Sequence, residues 1–297
     1  MSGSIGSLLI PTDDSDGAIT GAKIGIALAS KLGADVHILS VVDVPLDTSA
    51  IDDATLSAME SAAANAVERV ETLARESDAQ LEITTAVKRG TPFQTIREYA
   101  HRREIDAIAM GTKGRTGLDR VLLGSVTENV LRTARTPVLA VPPAADVTTV
   151  DEARFDRILL PTDGSEGAAI ATRWAIDFAE RLGAMVETIF SIDTSRFPEQ
   201  REPGQLITAI EERGQDALEG VRERATDAEV SVAASIVTGR PAPVILKHAS
   251  DNEIDLIVMG THGRTGVGQW FLGSVTENVV RQAEVPVFCV PVSAENP

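Results

Sequence analysis

The sequence predicts an α/β protein: two open parallel sheets of five strands in tandem, with helices on both faces of each. Three observations carry this expectation. Short apolar runs alternate with longer amphipathic stretches, the order of elements that builds a parallel sheet through crossover helices. The alternation runs twice through 297 residues, a length that suits about two domains. A glycine-rich segment also closes each run: Gly111–Pro142 reappears as Gly260–Pro291, identical at 20 of 32 positions without a gap.

In the first copy, residues 7–12, SLLIPT, read as the first strand, a brief run of branched apolar side chains. Residues 17–33 space Ala, Ile and Leu as one face of a helix, and residues 35–42, DVHILSVV, return to a strand. Residues 52–77 are rich in good helix formers, 81–88 form the third strand and 93–103 the third helix. DAIAM at 106–110, a helix over 125–134 and PVLAV at 137–141 complete the set. The second copy repeats it: LLIPTDDSDGA from Leu8 becomes ILLPTDGSEGA from Ile158, and KLGADVHILSVVD becomes RLGAMVETIFSID. The chain is therefore read as a tandem duplication with domains at 1–145 and 154–297. PPAADVTTVDEARFD, acidic and without periodicity, joins them as a linker. Such crossovers are right-handed, and ligands bind beyond the carboxyl ends of the strands where strand order reverses. The residues just after the first, second and fourth strands thus face any ligand.

Composition narrows the classes of function. The net charge of −17, from 44 acids against 27 bases, handicaps binding to phosphate backbones and anionic membranes. Neither nucleic acid nor membrane is an expected partner. Only five of the bases are lysine, and so acidic a surface suits solubility in concentrated salt, the mark of a halophilic source. No apolar run is long enough to span a bilayer and the start lacks a basic export signal, so a cytoplasmic location is expected. The single cysteine, Cys289, lies in the apolar run PVFCVP and reads as an inert buried thiol. His37, His101, His248 and His262 show no metal-ligand spacing. Neither Gly-x-Gly-x-x-Gly after the first strand nor Gly-x4-Gly-Lys-[Ser/Thr] is present, which argues against a dinucleotide enzyme and a P-loop NTPase.

The chemistry concentrates in two places per copy. After the fourth strand stands Gly111-x2-Gly114-x9-Gly124-Ser125, followed by a helix opening Val126-Thr127-Glu128. Glycines there permit a sharp turn and a close approach to a ligand, and Gly124-Ser125 stands at a helix start, where free amides and the helix dipole favour an anion such as phosphate. Ser125 has an alternative use as the helix cap. At the end of the first strand Pro11-Thr12-Asp13 sets a carboxylate at the mouth of the sheet. It can face ribose hydroxyls, share a divalent ion with phosphates, or simply cap the next helix. Pro161-Thr162-Asp163 and Gly260-x2-Gly263-x9-Gly273-Ser274 repeat both elements. Lys113 in the first loop is His262 in the second, each followed by Arg115 or Arg264; these either neutralise phosphate or point into solvent. No pairing of a nucleophile with a base is evident, so no catalytic residue is assigned.

With these two motifs repeated, the chain resembles the universal stress protein family, in its nucleotide-binding branch. The resemblance implies a strand order of 3-2-1-4-5, a Rossmann-like sheet, and ATP, or ADP or AMP, held at its carboxyl edge with Mg2+ as a candidate companion. Carried over by position, Asp13 would meet the ribose and phosphates, Val41 would offer backbone groups to adenine, and Gly111, Gly114, Gly124, Ser125 and Val126 would wrap the phosphates. In the second domain these places are Asp163, Ser191, Gly260, Gly263, Gly273, Ser274 and Val275. The family also implies that the two domains pair through PVLAVP and PVFCVP, which hides two apolar edges, and leaves further homo-oligomers open. The implied function is a stress-response protein with two nucleotide sites and little or no turnover. The alternative is a slow ATP hydrolase or adenylate-transferring enzyme working with Asp13 and Asp163.

Overall fold

A computed structural model describes residues 5–44, 52–113, 123–145, 147–194, 203–263 and 272–294, with backbone alone for 203–207. Gly114, Arg115 and Arg264 lie outside the described residues. Two compact units emerge, Ile5–Ala153 and the chain from Arg154 onward.

The first unit runs β1 (Ser7–Pro11), α1 (Asp16–Leu32), β2 (Asp35–Val42), α2 (Asp53–Ser77), β3 (Ile83–Arg89), α3 (Pro92–Arg102), β4 (Ala107–Gly111), α4 (Ser125–Thr133) and β5 (Val138–Val141). The second repeats it with β6 (Arg157–Thr162), α5 (Glu166–Leu182), β7 (Met185–Ile192), α6 (Pro203–Asp227), β8 (Val232–Thr238), α7 (Pro241–Asp251), β9 (Leu256–Gly260), α8 (Ser274–Gln282) and β10 (Val287–Val290). Within the first unit the strands lie in the order β3-β2-β1-β4-β5, and within the second β8-β7-β6-β9-β10, all parallel. Leu8 is paired with Val36 on one side and Ala107 on the other, so the reversal of strand order falls between β1 and β4. α1 and α2 cover one face and α3 and α4 the other, as do α5 with α6 and α7 with α8.

Each fold follows from its sequence. β1 and β4 are sandwiched between helices, and Leu8, Leu9, Ile10 and Ile108 are completely buried, as expected of continuous apolar runs in a two-faced parallel sheet. α1 starts one residue earlier than its apolar spacing suggests, because the Ser15 hydroxyl accepts from the Ala18 amide, and it ends at Gly33 with φ +63. Ser165 and Gly183 frame α5 in the same way. Phe178 and Phe288 pack edge to face at 4.8 Å beneath Trp174 in the second core. Cys289 is fully buried beside them, and burial pushes its thiol up to about 12. Residues 147–153 of the linker pack on α1: Val150 and Ala153 are buried, and Lys23 Nζ donates to the Val147 carbonyl at 2.6 Å.

Divergence between the copies is clearest in one polar pair beneath the sheets. His37 on β2 faces Tyr99 on α3, Nδ1 to hydroxyl at 3.1 Å. At the matching places in the second unit, Glu187 on β7 faces His248 on α7 at 2.7 Å and also takes Arg157. A neutral pair has become a charged cluster while the backbone around it is kept.

Candidate nucleotide site

Beyond the carboxyl end of β1 the chain turns sharply into α1. Buried Thr12 donates its amide to the Leu39 carbonyl, which ties the turn to β2, and its hydroxyl accepts from the Asp14 amide at 3.3 Å. Asp13 Oδ1 accepts from both the amide and the hydroxyl of Ser15, at 3.1 and 2.6 Å. Ser15 rather than Asp13 therefore caps α1, and Asp13 is the half-buried carboxylate that braces the cap. The second unit repeats this: Asp163 Oδ1 accepts from the Ser165 amide at 2.9 Å, and Ser165 caps α5.

Beyond β4, Gly111 is held by packing. A Cβ on Gly111 would come within 2.0 Å of the Gly17 carbonyl oxygen, and one on Gly17 within 1.9 Å of the Lys113 oxygen. α1 thus rests directly on the backbone leaving β4, with Gly21 completing the close face. Gly260 and Gly167 do the same in the second unit, where Gly167 abuts the His262 carbonyl. This gives Gly111 and Gly260 a role in joining the two halves of each site. The spacing of Gly17, Gly21 and Gly25 along α1 was the available signal, and reasoning from the loop motif alone missed it.

The loop then returns to the sheet at the start of the fourth helix. Gly124 donates its amide to the Thr112 carbonyl at 2.8 Å, and Gly273 does the same to Thr261. Thr127 and Thr276 donate their hydroxyls to the carbonyls of Gly111 and Gly260, pinning helix to strand. Gly124 and Gly273 are the N-cap residues, and no side chain caps either helix. Ser125 and Ser274 are instead the first helical residues, with exposed side chains, and Val126 and Val275 behind them are half-buried. The capping role open to Ser125 from sequence is therefore not the one it plays. α1, α2 and α5 each carry a side-chain cap, while α3 and α7 begin, like α4 and α8, without one.

In the second unit the loop and the strand-end acid meet: a Cβ on Gly263 would lie 2.7 Å from Asp163 Oδ2. His262 sits at the same place, its Nδ1 2.9 Å from the Thr261 hydroxyl and its Nε2 buried without a partner among the described residues. Val41 and Ser191 stand one residue before the ends of β2 and β7, half-buried, and the Ser191 hydroxyl donates to the Gly239 carbonyl at 2.7 Å. The additional acid of the first turn, Asp14, is engaged by Arg69 of α2 at 2.8 Å. Among the described residues no three His, Cys, Asp or Glu side chains converge on a metal position.

A doubly wound α/β domain occurring twice, each with a glycine loop and a strand-end acid at its switch point, is the class that fold and site define. The family model described as the universal stress protein family matches residues 5–142 and again 154–291. The chain belongs to that family. A universal stress protein of Mycobacterium tuberculosis is 32% identical over 231 residues, 75% of this chain and 74% of its own. Another, from Methanocaldococcus jannaschii, is 36% identical over 139 residues, 46% of this chain and 82% of its own. The crystal structure of a universal stress protein from Archaeoglobus fulgidus aligns with a TM-score of 0.71 at 24% identity, covering 96% of each chain, a likeness of fold. Among the described residues no helix is long and apolar enough to cross a membrane.

Proposed function

We propose that the protein binds adenine nucleotide, ATP foremost, at two sites per chain, and uses it as a ligand rather than as a fuel. The observation that carries this reading is the pair of helices α4 and α8, which begin at glycine with no side-chain cap, an exposed serine hydroxyl at the first position and the dipole's positive end toward the sheet edge. Such a terminus suits phosphate. Asp13 and Asp163 stand across the turn for ribose hydroxyls or for Mg2+ shared with the phosphates. Asp13 already accepts two bonds from Ser15, which favours an orienting role over that of a base drawing a proton from water.

Bound nucleotide would stabilise the fold by about 2.7 kcal/mol at a hundredfold excess over Kd. The test is to denature the purified chain, separate any released nucleotide by chromatography, and assay hydrolysis. An adenine nucleotide is expected, with turnover below about 1 per second. Faster hydrolysis that Asp13→Asn and Asp163→Asn abolish would establish the enzyme instead.

A further inference from the structure

His262 carries a buried ring nitrogen with no partner among the described residues, at the point where the second loop passes the start of α8. A Cβ built on Gly273, the N-cap residue of α8, would lie 3.7 Å from the His262 Cα and 2.8 Å from the Thr261 oxygen. The residue after it, Gly263, abuts the Asp163 carboxylate, and its own carbonyl abuts Gly167 in the first turn of α5. Position 262 is therefore fixed between the helix start assigned to phosphate and the strand-end acid. From sequence its side chain either neutralises phosphate or points into solvent. Nε2 is buried, so solvent is not what it meets.

The hydrogen-bond inventory assigns the proton to one of the two nitrogens. Nδ1 lies 2.9 Å from the hydroxyl of buried Thr261, which has no other partner among the described residues. Were Nδ1 the donor, the threonine hydrogen and a bare Nε2 would both lack partners. With the hydroxyl donating to Nδ1, a single group is left over, the Nε2–H. A buried N–H calls for an acceptor, and native folds rarely leave one orphaned. We infer that His262 Nε2 donates to a phosphate oxygen of the nucleotide held at the second site. This rests on the nucleotide reading above. A phosphate oxygen is the acceptor that the adjoining α8 amides would bring there, and a bond to a charged acceptor is stronger than one to a neutral group. Lys113, at the matching position of the first loop, is half-buried and is likewise a donor. The histidine keeps that chemistry on a ring anchored by Thr261.

The experiment uses the full chain carrying Ser125→Glu to silence the first site, stripped of carried-over ligand and titrated calorimetrically with ATP and with adenosine. His262→Phe keeps a ring but removes the donor. It is expected to weaken ATP about tenfold, the low end for a bond to a charged group, and adenosine less than about twofold. His262→Gln, whose amide reaches the Nε2 position, is expected to bind ATP with an affinity between those of the parent and the Phe variant. Heteronuclear NMR of the parent with ring-labelled histidines gives a second readout: ATP and not adenosine is expected to shift the His262 Nε2 resonance, assigned by its loss in His262→Gln. Unchanged ATP affinity in His262→Phe, or a resonance that ATP leaves in place, would give the nitrogen a trapped water as its partner and overturn the inference. Equal losses for ATP and adenosine would overturn it too, by making the ring a structural brace. A parent that binds no adenine nucleotide sinks the nucleotide reading itself, whereas full ATP affinity in His262→Phe leaves that reading standing and removes only this one.

Discussion

Gly263 lies against the carboxylate of Asp163, so closely that a Cβ added to the glycine would come within 2.7 Å of Oδ2. The obstacle is the far end of a side chain, so the fold can accept a methyl group there while the acid cannot keep its orientation. Gly263→Ala is expected to weaken nucleotide binding at the second site about tenfold and to shift stability by less than about 1 kcal/mol. In an Asp163→Ala background the same change should cost nothing further, since the clash is gone. Additive losses in the double variant would place the effect of Gly263 elsewhere.

The glycines behind the loop answer to a different demand. Gly17 and Gly111 meet backbone atoms at 1.9 and 2.0 Å from a built Cβ, and backbone cannot step aside. Gly17→Ala and Gly111→Ala are each expected to destabilise the first domain by about 3 kcal/mol, in the range of overpacked cores, as measured by urea unfolding. A variant that loses binding with full stability would return these glycines to the ligand.

This division explains what the sequence disclosed and what it hid. The alternation of apolar runs and the repeat located every strand and helix to within a few residues, because burial on both faces of a parallel sheet leaves continuous apolar segments that composition cannot mimic. Strand order came with the family resemblance, since periodicity says nothing of which strands are neighbours. At the candidate site, the spacing of Gly111, Gly124 and Ser125 led to the carboxyl edge of the sheet but did not separate the packing duties of these residues. Whether a glycine clears space for phosphate or for another backbone depends on α1, seventy or more residues distant in the chain, and so does not register in the loop motif. The Arg69–Asp14 contact was hidden for the same reason: nothing in the turn Thr12–Asp16 or in the amphipathic pattern of α2 marks one arginine among its polar face as the one that reaches that turn.

Three glutamates follow helices in the left-handed region without glycine's freedom. Glu104 after α3 has φ +51, Glu229 after α6 has φ +56 and Glu253 after α7 has φ +50, and all are exposed. Glu104→Gly and Glu253→Gly are each expected to stabilise their domain by about 0.5 to 1 kcal/mol by removing the Cβ conflict. A fall in the thermal midpoint of either variant would contradict this.

His37 gives the first domain a dependence on acidity. Burial, aided by Arg103 and opposed by Asp35, holds its pKa below the usual 6.5. The unfolded chain therefore binds the proton more readily than the native one between the lowered value and about 6.5, and stability present above pH 6.5 is lost as pH falls through that window. His37→Gln keeps a polar partner for Tyr99 and is expected to flatten the decline in the urea midpoint between pH 7 and 5. An unchanged slope in the variant would show that other groups govern it.

The central claim is that the uncapped starts of α4 and α8 each hold the phosphates of one adenine nucleotide. Glutamate at a first helical position favours the helix through its dipole by about 0.3 to 1 kcal/mol, yet repels phosphate from the same amides. Ser125→Glu and Ser274→Glu therefore separate binding from folding. Calorimetric titration of the chain, stripped of carried-over ligand, is expected to give two nucleotides per chain, one in either single variant and none in the double variant, with thermal stability undiminished. Full stoichiometry in the double variant would contradict the account.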